Sequence, residues 1–186
     1  MSTRTAILDA ASQVFADEGV GAASIGRIAS SAGVTRPTVY AYFDTKEAIF
    51  TALVGEVRDA FLAAQEVPDT DDPVAVARAV ITSYLALHVR HLPLLAAIDQ
   101  RARTDPAVAA ARDDLLARVH RRNARFVDRL TAAGRADPAL DADTVSQAIT
   151  GIVRRFAELG EDAAPAVRAR LADDAVTAYL RLTGLH

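Results

Sequence analysis

Thr35, Arg36, Pro37, Thr38 and Ala41 fall on one side of a short helical segment, while Val34, Val39 and Phe43 fall on the other. Small and polar groups facing outward over an apolar inner face are what a helix needs to enter the major groove of a duplex. The chemistry on offer is hydrogen bonding rather than bond making. The chain has no glycine-rich phosphate loop, no serine-nucleophile motif and no paired His–carboxylate metal motif, so neither an enzyme nor a cofactor is expected. His88 and His91 lie three residues apart and would share a helical face open to a metal. No third ligand is evident, so an ordinary satisfied histidine is the better reading and no metal is expected.

The elements around this segment read as helices, and no stretch alternates like a strand. Ile7, Leu8, Ala11, Val14 and Phe15 form one apolar stripe that Gly19 can close. Ser24 is the N-cap expected for a second short helix carrying Ile25, Ile28 and Ala29. Ala32-Gly33-Val34 makes the turn, and Thr35 caps a third helix through Phe43 with Pro37 in its first turn. Asp44 and Glu47 read as a capping box opening a helix to about Gln65. Two short helices joined by a glycine-containing turn are the layout of a helix-turn-helix.

Beyond a polar linker, Glu66 to Asp72, helices are expected at about 73–91, 93–102, 106–133, 142–159 and 165–183. Asp72-Pro73 and Asp105-Pro106 serve as starts, Leu92-Pro93 as a break, and Gly134, Gly160 and Gly184 as stops. The expected architecture is all-α, about nine helices. An N-terminal three-helix DNA-binding module over 1–48, with the helix-turn-helix at about 24–43, precedes a helical ligand-binding and dimerisation domain over 49–186.

The composition is compatible with this reading and narrows it. The chain has 186 residues, 51% hydrophobic, no cysteine and no tryptophan. Disulfides and thiolate metal sites are thereby excluded. No run of 18 or more apolar residues exists and no apolar leader begins the chain, so a cytoplasmic protein without a membrane partner is expected. The net charge of −3 runs against a nucleic-acid binder. Residues 1–50 do not reverse it: Arg4, Arg27, Arg36 and Lys46 face Asp9, Asp17, Glu18, Asp44 and Glu47, a net of −1. Placement of the cations must therefore matter more than their number.

Ile28-Ala29, then Ala32 through Phe50, and above all Thr38-Val39-Tyr40-Ala41-Tyr42-Phe43 with Lys46-Glu47, resemble the DNA-binding module of the TetR family of bacterial regulators. The resemblance covers about residues 5–55; beyond it only the all-helical layout matches. It implies that Arg36 and Thr38 contact bases or nearby phosphates, with Arg36 suited to a guanine edge. Pro37 offers an apolar contact, Tyr40 and Tyr42 reach phosphates, and Lys46 joins the amides of its helix at a phosphate. Ser24 and Thr35 are caps placed to touch the backbone, and Arg4 is placed near a phosphate. Gly26 departs from relatives whose larger side chain reaches bases, which leaves Arg27 as the nearest substitute.

Half-sites lie about 34 Å apart on a duplex, so readers of this type act as two-fold dimers on approximately palindromic operators. The last two helices carry the stripes for such a homodimer: Val145, Ala148, Ile149, Ile152 and Phe156 on one, Leu171, Ala175, Ala178 and Leu182 on the other. The middle helices are expected to enclose a small, largely apolar effector. Tyr84, His88, His91, Leu95, Ile98, Asp99, Phe126, Ile149 and Phe156 are candidates for that wall. The resulting expectation is a ligand-responsive transcriptional regulator, a repressor first and an activator second. The rival from another class is a helical protein–protein adaptor that binds no DNA.

Overall fold

The computed structural model describes residues 2–64 and 71–185. Among these the chain forms eight helices: α1 (Thr3–Ala22), α2 (Ile25–Ser31), α3 (Arg36–Tyr40), α4 (Lys46–Ala63), α5 (Pro73–Ala102), α6 (Pro106–Ala132), α7 (Ala142–Gly160) and α8 (Pro165–Thr183). Gln65 and the linker segment Glu66 to Thr70 lie outside the described residues. Packing divides the chain into two compact units, residues 1–59 with 93–112, and residues 60–92 with 113–186.

The first unit is built on α1 and α4. Ile7, Leu8, Ala11, Val14 and Phe15 of α1 are buried, as are Ile49, Phe50, Leu53 and Val57 of α4. The rings of Phe15 and Phe50 meet edge to face at 5.7 Å, and full burial of each such side chain is worth roughly 1.5–3 kcal/mol. Ile28, Val39 and Phe43, and Leu94, Ala97 and Ile98 of α5, are also buried in this unit.

Three expectations are corrected. The expected break at Leu92-Pro93 is absent: α5 runs through Pro93, so the described residues form eight helices rather than nine. A proline inside a helix costs about 3 kcal/mol. Leu94, Ala97 and Ile98 continue the buried period beyond it, and their burial offsets that cost. The boundary between the two units nevertheless falls at this peptide. The cap of α4 is Thr45 rather than Asp44, because the Thr45 hydroxyl accepts from the Ala48 amide at 3.0 Å. The helical part of α3 ends at Tyr40; Tyr42 and Phe43 follow as a turn, both donating their amides to the Val39 carbonyl.

By length and composition α5 is also apolar enough to cross a membrane. Its buried residues Val76, Ala77, Ile81, Tyr84, Leu85, Leu94, Ala97 and Ile98 give it the pattern of a core helix.

In the second unit α7 packs against α8. Val145, Ile149, Val153 and Ala157 of α7 and Ala175, Val176 and Tyr179 of α8 are closed in by their own chain. Phe61, Tyr84 and His88 form an edge-to-face cluster with centroids 4.5–5.5 Å apart. The His88 Nδ1 lies 3.0 Å from the Tyr84 carbonyl. Burial holds this imidazole below its ordinary range, and the Arg154 and His91 charges act in the same direction. His120 is lowered as well, mainly by burial.

For both histidines the unfolded chain binds the proton more readily than the folded one. Their contribution to stability is therefore present above the ordinary value of 6.5 and is lost as pH falls below it towards the folded value. Thermal unfolding followed between pH about 7 and about 5 should show a falling Tm. His88→Leu should flatten that slope, and an unchanged slope would contradict the assignment.

Candidate nucleic-acid interface

The turn between α2 and α3 closes by a Schellman pattern. The Gly33 amide donates to Ser30 and the Val34 amide to Ala29, at 3.2 and 3.0 Å. Gly33 takes φ +67°, a conformation in which a Cβ costs about 1–2 kcal/mol. Ser24 caps α2 through the Arg27 amide, and Thr35 caps α3 through the Thr38 amide. The Thr35 and Thr38 hydroxyls are 2.8 Å apart. Val39 is fully buried and Phe43 nearly so, which fixes the face that α3 turns outward.

That outer face carries Thr35, Arg36 and Pro37, all exposed, with Thr38 half-buried beside them. Tyr40 and Tyr42 are 54% and 48% exposed. A tyrosine filling the core would be closed in, so both phenols are available to a partner. Seven of the nine residues singled out from sequence, Thr35 to Thr38, Tyr40, Tyr42 and Ser24, thus lie on α3, the turn that follows it or the cap of α2.

The cations divide differently. Arg27 Nε donates to Glu18 at 2.8 Å. Arg4 pairs with Glu56 at 3.0 Å and stacks over the Phe43 ring at 5.5 Å. Lys46 Nζ donates to the carbonyls of Gly21 and Ala23 at 2.6 and 2.9 Å. These are the carbonyls at the end of α1, where a positive charge is favoured. Lys46 therefore ties the end of α1 to the start of α4, a role that its sequence position did not announce. Arg36 makes no ion pair among the described residues. Its guanidinium lies against Gly26 instead.

The second unit holds a cavity lined by Val76, Ala77, Val80, Ile81, Val119, Phe126 and Ile149 with Tyr84, His120, Arg122, Asn123, Arg129, Ser146, Thr150 and Tyr179. Of the residues expected to enclose an effector, Tyr84, Phe126 and Ile149 line it. His88 is buried behind Tyr84, while His91 and Phe156 are half-buried outside the lining. Leu95, Ile98 and Asp99 belong to the other unit, where Asp99 pairs with Arg112 at 3.4 Å.

Seven polar wall residues were missed: His120, Arg122, Asn123, Arg129, Ser146, Thr150 and Tyr179. Tyr179 Oη donates to Asn123 Oδ1 at 2.6 Å, and Asn123 Nδ2 donates to Ser146 Oγ at 2.9 Å. The Thr150 hydroxyl donates to the Ser146 carbonyl at 3.0 Å, and His120 Nε2 lies 3.1 Å from Thr150 Oγ1. Ser146 and Thr150 are four residues apart on an otherwise apolar helix face, the signal that would have found them. Burial pushes the Tyr84 phenol up to about 12, so it stays a neutral donor.

Of the residues named for a dimer, Val145, Ile149 and Ala175 are enclosed within the unit. Ala148, Ile152, Phe156, Leu171, Ala178 and Leu182 are half-buried.

Lys46→Met keeps the stem of the side chain but removes both bonds to the α1 carbonyls. Chemical denaturation should register a loss of roughly 1–2 kcal/mol. Unchanged stability would mean that the ammonium is free to serve elsewhere.

Residues 7–53 match the family described as bacterial regulatory proteins, tetR family. The transcriptional repressor LfrR of Mycolicibacterium smegmatis is 45% identical over 87 residues, 46% of this chain and 45% of that protein. The transcriptional repressor BepR of Brucella suis is 46% identical over 56 residues, 30% of this chain and 27% of that protein. The matched stretches thus span less than half the length of these curated relatives. The fold extends further. The ketosteroid transcriptional regulator KstR2 of Mycobacterium tuberculosis superposes with a TM-score of 0.80 at 18% identity, over 98% of this chain and 95% of that one. A tetR-family regulatory protein from Rhodococcus RHA1 gives 0.77 at 22% identity, over 98% of each chain. Residues 7–53 are thus similar in sequence to the tetR family of bacterial regulatory proteins, and the all-helical fold is similar to solved regulators along nearly the whole chain.

Proposed function

We propose that the chain is a ligand-responsive, DNA-binding transcriptional regulator, a repressor that leaves its operator when a small, largely apolar molecule binds. The observation that carries the DNA reading is the outer face of α3, where Arg36, Tyr40 and Tyr42 stand exposed over a buried Val39. Residues 1–48 are the DNA-binding module and 49–186 the effector and dimerisation domain. The sign of regulation is carried over from relatives named as repressors.

In this reading Arg36 donates to a base edge, Thr35, Thr38 and the two phenols hold phosphates, and Pro37 makes an apolar contact. Ser24 and Arg27 flank them from α2. The third N–H of Lys46, beyond the two committed to carbonyls, is left for a phosphate. The partners are an approximately palindromic operator duplex and a second copy of the chain. Ala148, Ile152, Leu171, Ala178 and Leu182, half-buried on α7 and α8, supply the surface for that copy; a monomer in sedimentation equilibrium would remove it.

The cavity of the second unit is the effector site. Its wall is apolar apart from the Tyr179–Asn123–Ser146 and His120–Thr150 groups, Tyr84, and the exposed Arg122 and Arg129. An effector shifts operator affinity only by the difference in its affinities for the two states of the protein. Residue 59 ends the first unit within α4 and residue 60 begins the second, so this helix is the covalent route for the response. Ile149→Trp, which fills the cavity, should leave operator binding intact and abolish release by an apolar effector. Release that persists in this variant would place the effector elsewhere.

The test of DNA binding is a salt titration of duplex affinity. A duplex reader weakens steeply as salt rises, which a protein–protein adaptor does not. Arg36→Ala should cost about 1–3 kcal/mol on the selected operator and relax preference at one base position. Affinity indifferent to both salt and Arg36 would sink the reading.

A further inference from the structure

Gly26 sits in the first turn of α2 without a backbone reason to be glycine. Its φ is not positive, and glycine within a helix is less favourable than alanine. What occupies the place of its missing side chain is Arg36. A Cβ at residue 26 would stand 2.5 Å from Arg36 Nη2, 2.9 Å from Nε and 3.0 Å from Cζ. Three atoms of one planar group at similar range mean that the guanidinium lies across the bare backbone of α2. Among the described glycines, this is the one place where a side chain comes so near.

The clash is with the far end of a flexible side chain, not with backbone. A residue larger than glycine at 26 therefore leaves the fold in place and displaces the guanidinium. A guanidinium recognises a base edge through two parallel N–H bonds, and that fork tolerates little change of origin or direction. No carboxylate among the described residues fixes Arg36, so its position depends on what surface it can lie on.

We propose that Gly26 is a specificity determinant: by having no side chain it lets Arg36 rest on α2, and so sets which base position Arg36 reads. Gly26 is a positioning residue and Arg36 the contacting one. The inference rests on the DNA-binding reading above.

The experiment selects bound duplexes from a random pool with the wild-type chain, Gly26→Ala, Arg36→Ala and the double variant, and measures each affinity on the wild-type operator. Gly26→Ala should keep or raise Tm, since alanine favours helix. It should change preference at the same base position that Arg36→Ala relaxes, with a loss on the wild-type operator of about 5- to 100-fold. In the Arg36→Ala background it should add nothing. Unchanged preference in Gly26→Ala, or a loss that adds fully to that of Arg36→Ala, overturns the proposal.

The contact itself is read on the free protein by NMR, as cross-relaxation between the Gly26 Hα protons and the Arg36 Nε–H that disappears in Gly26→Ala. Its absence from the wild type overturns the proposal whatever the DNA results. A wild-type chain that shows the contact but selects no duplex sinks the DNA-binding reading and leaves the packing of Arg36 on Gly26 standing.

Discussion

A helix of five residues has no stability of its own, because the cost of nucleating it exceeds what so few backbone bonds return. The α3 helix exists because Val39 and Phe43 are buried in the first unit. Everything at the interface follows from that anchoring. With Val39 pointing inward, the pitch of the helix turns Pro37 to the opposite side, and Arg36 in the first turn and Tyr40 at the end are exposed beside it. The Schellman turn at Gly33 and the Thr35 cap then determine where the helix begins and in which direction it leaves α2. The functional face is the remainder after the core has taken what it needs.

The cations show how little of the formal charge is available. Arg4 and Arg27 are committed to carboxylates, and Lys46 holds the end of α1 against the start of α4. Exposed ion pairs of this kind contribute little to stability, but they neutralise charge that the count of basic residues would credit to a partner. The interface is thus a hydroxyl and phenol surface with one guanidinium free of carboxylates. Such a surface adds directional hydrogen bonds to the attraction its cations supply, in a chain of net charge −3.

The second unit meets a different constraint. Its cavity wall contains polar groups inside an apolar shell, and buried polar groups must be satisfied. Tyr179, Asn123 and Ser146 satisfy one another in series, and His120 is paired with Thr150. The chain holds its own polar wall in place, with the exposed Arg122 and Arg129 also on the lining. His88 is outside this set and serves the Phe61–Tyr84 cluster as a neutral ring.

The amino-acid sequence by itself determined the all-helical class, most helix ends, and the inward and outward faces of α3. These depend on local rules: period 3.6, hydroxyl and carboxyl caps, and a glycine where φ is positive. Asp105 and Asp141 cap α6 and α7 through just such contacts. Tertiary structure decided what depends on partners distant in the chain. Burial of Leu94, Ala97 and Ile98 carried α5 through Pro93, where local rules read a break. Lys46 found its carbonyls more than twenty residues away. Leu95, Ile98 and Asp99 went to one unit, and Tyr84, Phe126 and Ile149 to the other, because a helix crossing both units gives no local sign of which neighbours each turn will meet. The bareness of Gly26 reads from sequence as a missing contact; only the fold shows that Arg36 fills the space.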